Sequence, residues 1–223
     1  FIDGVKVVLC DRCRVNCRFD AISCDQEYKG DRFACEGCGV CAFVCPVSAV
    51  SMQKTKAGDI MLYEDKERVF STAKLLMGSG TSGMLVTEVK KQLTPFSERA
   101  DITVIDGSPG IGCPVIASLS GVDIVLIVTE PSLSGISDLD RIVRTAAHFD
   151  VLVAVCVNKY DINKDNTDKI IRYCKDKSIV FAGVIPYDKM AVETINQGRP
   201  VSDTDCPAGI AIKEIFERIL KLF

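Results

Sequence analysis

The sequence predicts an α/β protein in which a parallel-sheet layer follows a small α+β module held by clustered cysteines. Two observations predict it. From residue 101 onward, apolar runs of strand length alternate with stretches of helical periodicity, the pattern of a parallel sheet covered on both faces. Before residue 46 stand eight of the chain's twelve cysteines, a density that reads as a ligand set and not as a disulfide framework.

The densest run is Cys35-Glu-Gly-Cys38-Gly-Val-Cys41-Ala-Phe-Val-Cys45-Pro46. This is C-x2-C-x2-C-x3-C-P, the run by which bacterial ferredoxins hold iron–sulfur clusters. Two residues between thiols let one short loop curl over the corners of a small cluster. Gly37 and Gly39, without a Cβ, allow the backbone to come close to the sulfides. A zinc site would usually set two cysteine pairs well apart, and bare buried thiols would not fall into this register. The run therefore predicts a 4Fe–4S cluster.

A second, damaged copy precedes it. Cys10-x2-Cys13-x3-Cys17 aligns with Cys38, Cys41 and Cys45 at an offset of about 28 residues, and Val7 falls where Cys35 stands. In two-cluster ferredoxin modules the fourth cysteine of each run ligates the other cluster. Cys35, Cys38, Cys41 and Cys17 then form one complete set. Cys10, Cys13 and Cys45 form an incomplete one, to be completed by Cys24, held as a three-iron form, or left empty. Cys24 reads more simply as an ordinary half-buried thiol.

Residues 47–70 contain two strand pieces, Ile60–Tyr63 and Arg68–Phe70, divided by the charged turn Glu64–Glu67. Gly78-Ser-Gly80-Thr-Ser-Gly83 spells G-x-G-x-x-G ahead of a helical stretch from Met84 to Leu93. A dinucleotide fingerprint needs an acidic residue closing a second strand, and here Asp101 opens one, so the segment reads as a Gly/Ser loop leading into a helix. The boundary between modules is expected at residue 56, with 1–56 carrying the cysteines and 57–223 the α/β part.

In the α/β part, strands are expected at Ile102–Ile105, Val122–Val128, Val151–Val157 and Ile179–Ile185. Helices are expected near 114–120, 135–149, 165–176, 189–197 and 208–222. Ligands of such sheets sit beyond the carboxyl ends of the strands. There stand Asp106-Gly-Ser-Pro-Gly110, Thr129-Glu-Pro, Asn158-Lys-Tyr-Asp161 and Pro186-Tyr-Asp188. A strand-end carboxylate such as Asp106 can hold magnesium while nearby glycines let N–H groups face a phosphate, or it can cap the next helix. Asn158 and Asp161 can bond a purine edge, with Pro186 forming the other wall. His148 reads as a surface residue.

These strand-end motifs, in this order behind a cysteine module, resemble the MinD/ParA superfamily of P-loop ATPases carrying an inserted ferredoxin domain. The resemblance implies ATP and magnesium as ligands and a homodimer. It gives Asp106 the role of switch carboxylate in catalysis, and Gly110, Asn158, Asp161 and Pro186 a share in nucleotide binding. Relatives of that kind act as ATP-gated electron donors or in iron–sulfur and metallocofactor assembly, so a redox or cofactor-assembly protein is the expected partner. The alternative is a ferredoxin-type carrier or cluster scaffold whose α/β part only docks partners. No G-x-x-x-x-G-K-S/T occurs in these 223 residues. In the family that loop precedes the ferredoxin insertion, so either an upstream segment precedes Phe1 or this chain cannot hydrolyse ATP alone.

Composition agrees with a cytoplasmic protein. A net charge of −3 argues against nonspecific nucleic-acid binding. The longest apolar runs are strand-length, so no membrane span is expected. Twelve cysteines without a disulfide framework call for a reducing compartment. Cys113, at the start of a helix in Gly110-Ile-Gly-Cys113-Pro-Val, resembles a position that holds a dimer-bridging cluster in nitrogenase iron proteins. No second cysteine lies between Cys45 and Cys113 to complete such a bridge, so Cys113 reads as a packing thiol beside the switch.

Overall fold

The computed structural model describes residues 1–223 and falls into two compact units, Phe1–Val104 and Ile105–Phe223. The division is one of packing. It leaves the segment 57–104 with the cysteine-bearing part.

In the first unit the two cysteine runs fold as copies of each other. Helix α1 (Arg12–Val15) follows Cys10 and helix α2 (Val40–Phe43) follows Cys38, and the two helices pack together. Positive φ recurs at equivalent places: Leu9 (55°) and Gly37 (67°), Asp11 (57°) and Gly39 (77°), Asp20 (49°) and Ser48 (51°). Glycine adopts this region freely, whereas Leu9, Asp11 and Asp20 hold it at a cost, so the loop shape is imposed by the surrounding contacts. Gly37 and Gly39 thus supply a backbone angle, and an added Cβ at either would meet no protein atom within 4 Å.

The pairing of the copies is crossed. Strand β1 (Ile22–Cys24) pairs antiparallel with β2 (Tyr28–Gly30), joining Ile22 to Gly30, and the Asp31 N–H donates to the Ala21 carbonyl at 2.7 Å. One repeat away, Ile2 bridges Val50 and the Asp3 N–H donates to the Ala49 carbonyl at 2.8 Å. The segment after each run is thereby stitched to the segment before the other. Ala21 and Ala49 are both buried at that seam. The hairpin β3 (Gly58–Glu64) and β4 (Val69–Leu75) follows, its turn closed by the Asp65 carboxylate accepting from the N–H groups of Glu67 and Arg68. Helix α3 (Ser82–Leu93) packs on β4, where the Ser71 hydroxyl donates to the Val89 carbonyl at 2.9 Å. The G-x-G-x-x-G stretch therefore follows an antiparallel hairpin strand and has no βαβ context. Its Thr81 N–H donates to Glu36, inside the second cysteine run.

The second unit is a three-stranded parallel sheet, β5 (Ile124–Thr129), β6 (Leu152–Asn158) and β7 (Val180–Ile185), in that spatial order. Helices α4 (Cys113–Leu119), α5 (Leu133–Ala146), α6 (Lys164–Asp176), α7 (Lys189–Asn196) and α8 (Pro207–Leu220) surround it. Val155 and Val157 of β6 face Leu139 of α5 and Ile170 and Cys174 of α6. Ala154 and Cys156 face the other way, onto Ala182 and Ile215 of α8. This period-two split of a continuously apolar strand is what a middle layer requires. Gly183 sits at φ +147°, where a Cβ would approach Ile215 Cγ1 to 2.9 Å, so its lack of a side chain sets how closely α8 lies on β7.

Two expectations are corrected. Ile102–Ile105 forms no strand: it runs at the junction of the units, with Ile102 and Val104 exposed, and no neighbouring strand offers it a ladder. Nor is every strand buried on both faces, because β5 is an edge strand and leaves Leu126 and Val128 exposed.

Candidate iron–sulfur and nucleotide sites

All twelve cysteines are free thiols. Three of those in the first unit share one cleft: Cys10 and Cys13, on either side of the α1 start, and Cys45 from the other run. Val7, Asp11 and Tyr28 line the same cleft. Burial pushes the Cys13 thiol up, and the neighbouring Cys10 and Cys45 add to the rise. Cys41 is pushed up in the same way, by burial first and then by Cys35 and Cys38, which places those three together. Cys17 is half-buried just beyond α1.

Cys45 behaves differently. Burial works against its thiolate, but the backbone N–H groups of Val47, Ala49, Val50 and Ser48 outweigh it and lower the thiol below its usual range. The Ala49 N–H reaches the sulfur at 3.2 Å. Such N–H groups aimed at a sulfur stabilise a metal-bound thiolate and tune its cluster. No three of the chain's Cys, His, Asp and Glu side chains converge at the spacing of a single-ion site. A four-iron cluster takes its thiolates at separate corners, so two loops each presenting spread thiols, with backbone donors around one of them, fit that group.

Cys24 is exposed on β1 opposite Tyr28 and does not line the cleft. The Tyr28 hydroxyl donates to Asp11 Oδ1 at 3.0 Å, and Asp11 is also paired with Arg14. Burial and the Asp11 carboxylate push the Tyr28 hydroxyl up to about 12, so it stays a donor. Tyr28 and Asp11 are lining residues that spacing alone did not single out.

In the second unit the loops after β5, β6 and β7 are tied to one another. Lys159 Nζ meets Glu130 Oε1 at 2.6 Å across the ends of β5 and β6. Asn166 Nδ2 donates to the buried Pro131 carbonyl at 3.1 Å. The Tyr187 N–H donates to Asp161 Oδ1 at 2.8 Å, linking the Asn158 and Pro186 loops. One oxygen of Asp161 is thereby spent on the backbone, so this carboxylate fixes the loop after β7 against the loop after β6. Asn158 and Pro186 are half-buried at the carboxyl ends of β6 and β7. The Asp188 carboxylate is held below its usual range chiefly by the Ala208 N–H, and it caps α7 through the Met190 N–H at 2.9 Å. Asp106 and Gly110 (φ +87°) lie on the exposed stretch ahead of α4, outside this bonded group. Cys113 is exposed at the first position of α4, and His148 is an exposed residue whose ring bonds the Arg144 carbonyl. Glu130 and Lys159 carry a tie that their flanking motifs signalled only as strand-end polar residues.

Comparison with known proteins agrees with both halves. A model described as a 4Fe-4S binding domain matches residues 28–51, which hold the second run. Over 213 residues the chain is 29% identical to the uncharacterized protein MJ0578 of Methanocaldococcus jannaschii, covering 95% of this chain and 71% of that protein. Over 139 residues it is 26% identical to the septum site-determining protein MinD of Bacillus subtilis, covering 60% of this chain and 52% of that one. The cell division ATPase MinD of Pyrococcus furiosus shares the fold, with a TM-score of 0.51 at 20% identity over 66% of this chain and 61% of that one. The chain thus spans about half to two thirds of the MinD proteins it matches. The chain thus joins a segment matching a 4Fe-4S binding domain to an α/β body that has the MinD fold and resembles MinD proteins in sequence.

Proposed function

We propose that this chain belongs to an ATP-dependent iron–sulfur protein in which the nucleotide state of the α/β body governs what the cluster module does. The crossing of the two runs carries the reading: Cys45 leaves its own run to join Cys10 and Cys13. By the same crossing, turned by the repeat, Cys17 is read as the partner of Cys35, Cys38 and Cys41, a complete four-thiolate set. A 4Fe–4S cluster there supplies one-electron chemistry. The chain's own share is to hold its thiolates and screen it with α1 and α2, while the backbone N–H donors at Cys45 serve the other set. ATP and magnesium are assigned to the loops after β6 and β7, with Asn158 and Pro186 beside the base and Asp161 on the pocket wall, and to the exposed stretch ahead of α4 that carries Asp106 and Gly110, on the phosphate side. A homodimer and a redox or cofactor-assembly partner complete the proposal.

Two outputs follow from such coupling, and a different observation supports each. The complete set suits electron transfer. The incomplete set suits cluster assembly, because a site short of one thiolate holds iron less firmly. The test uses the protein with the upstream phosphate-loop segment that the family resemblance implies. Asp106→Asn should abolish ATP turnover and leave iron content unchanged. Unchanged hydrolysis would remove Asp106 from the site. A nucleotide-dependent shift in the potential of the clusters supports electron transfer. Nucleotide-dependent release of iron and sulfide to an apo-acceptor supports assembly. Neither effect, in a protein that binds ATP, overturns the coupling.

A further inference from the structure

The cleft of Cys10, Cys13 and Cys45 departs from a complete cluster site at one corner. The matched backbone of the two runs shows that the loop there keeps its shape, and of the four ligand positions a single one differs, Val7 for Cys35. Valine has no lone pair to offer iron. The other polar groups of the cleft are engaged: Tyr28 donates to Asp11, and Asp11 is paired with Arg14. Cys24 lies outside the lining.

We propose that this cleft is a binding site for one exchangeable ferrous ion: Cys10, Cys13 and Cys45 hold a three-iron core, and the corner facing Val7 takes up and releases a fourth iron that no side chain ligates. The proposal rests on the cluster reading of the first unit. The oxidised three-iron core is singly positive over its irons and sulfides. One electron from a low-potential reductant, such as dithionite, makes it neutral. One Fe2+ then adds, forming bonds to three core sulfides, and the doubly positive four-iron core results. No protein–sulfur bond breaks. Oxidation with loss of Fe2+ runs the steps backward. Water or hydroxide fills the remaining position of the added iron, which leaves that position open to an anionic oxygen or sulfur ligand.

The experiment uses anaerobically purified whole chain, with iron counting and low-temperature electron spin resonance. In wild type, mild oxidation with a chelator should reveal the signal of an oxidised three-iron core. Ferrous ion plus dithionite should remove that signal and add about one iron per chain. Val7→Cys should abolish both the signal and the exchange, and Val7→Ala, which adds no ligand, should keep both. Wild type whose iron resists exchange as Val7→Cys does would overturn the proposal, and a Cys24→Ser variant that then gained exchange would name the fourth ligand. Cys38→Ala separates the two readings. If it removes a cluster while the cleft shows no exchange, only this proposal fails. If no variant changes iron content, the cluster reading itself fails.

Discussion

The carboxylate of Asp161 accepts the Tyr187 backbone N–H at 2.8 Å, tying the loop after β6 to the loop after β7. A side chain within N-K-x-D thus holds the neighbouring strand's loop in place. Asp161→Ala should free that amide, and its hydrogen exchange should quicken by about tenfold, as loss of a net hydrogen bond of about 1–1.5 kcal/mol implies. Asp161→Asn keeps an accepting oxygen and should lie between. Exchange of the Tyr187 amide that is the same in all three proteins would show that the tie does not order the loop.

Gly183→Ala tests the close seat of α8. The new methyl meets Ile215 Cγ1 at 2.9 Å on a backbone of φ +147°. Overpacking of this kind costs about 1–3 kcal/mol, read as a lower urea midpoint. Pairing it with Ile215→Ala, which removes that carbon, should cost less than the two single losses combined. Additive losses would mean that backbone strain, and not the contact, sets the cost.

Stability should fall as pH rises from about 9 to about 11. Burial pushes the Cys156 and Cys174 thiols up from 9.0 to about 11. The sign follows from the proton count. Unfolded thiols ionise first, so the folded state holds more protons across that window. The stabilisation is whole below pH 9 and lost on the way to 11, with a slope of at most about 1.4 kcal/mol per pH unit for each thiol. Unfolding of wild type and of a Cys156→Val, Cys174→Ala double variant should be followed at pH 7, 9 and 10.5. The double variant should show the shallower decline, and parallel declines would assign the effect to other groups.

Two cysteines at helix starts should behave in opposite ways. Cys38→Ala, just before α2, should cost about one four-iron cluster per chain and most of the visible bleaching on dithionite addition. Cys113→Ser, exposed at the start of α4, should leave iron content and dimerisation unchanged. A loss of one cluster per dimer in Cys113→Ser would make it a bridging ligand and favour the electron-donor reading.

Periodicity and spacing are local properties, and what depends on them was legible in the chain itself. The C-x2-C-x2-C-x3-C-P run, its damaged copy with Val7 in place of a thiol, and the runs that became β5, β6 and β7 needed no tertiary information. Each reports how a few consecutive residues must bend or which faces they must bury. Ile102–Ile105 shows the limit, because an apolar run becomes a strand only when a neighbour supplies the hydrogen bonds, and that neighbour is elsewhere in the chain. The positive φ at Leu9, Asp11 and Asp20 was equally hidden, since no glycine marks it and only the crossed packing of the two runs enforces it. The joining of Cys45 to Cys10 and Cys13 was legible in the repeat, whereas tertiary structure alone decided that Lys159 pairs with Glu130 and that Asp161 serves the backbone of Tyr187. Each of these two ties joins residues that only the folded return of the chain brings within reach of a hydrogen bond.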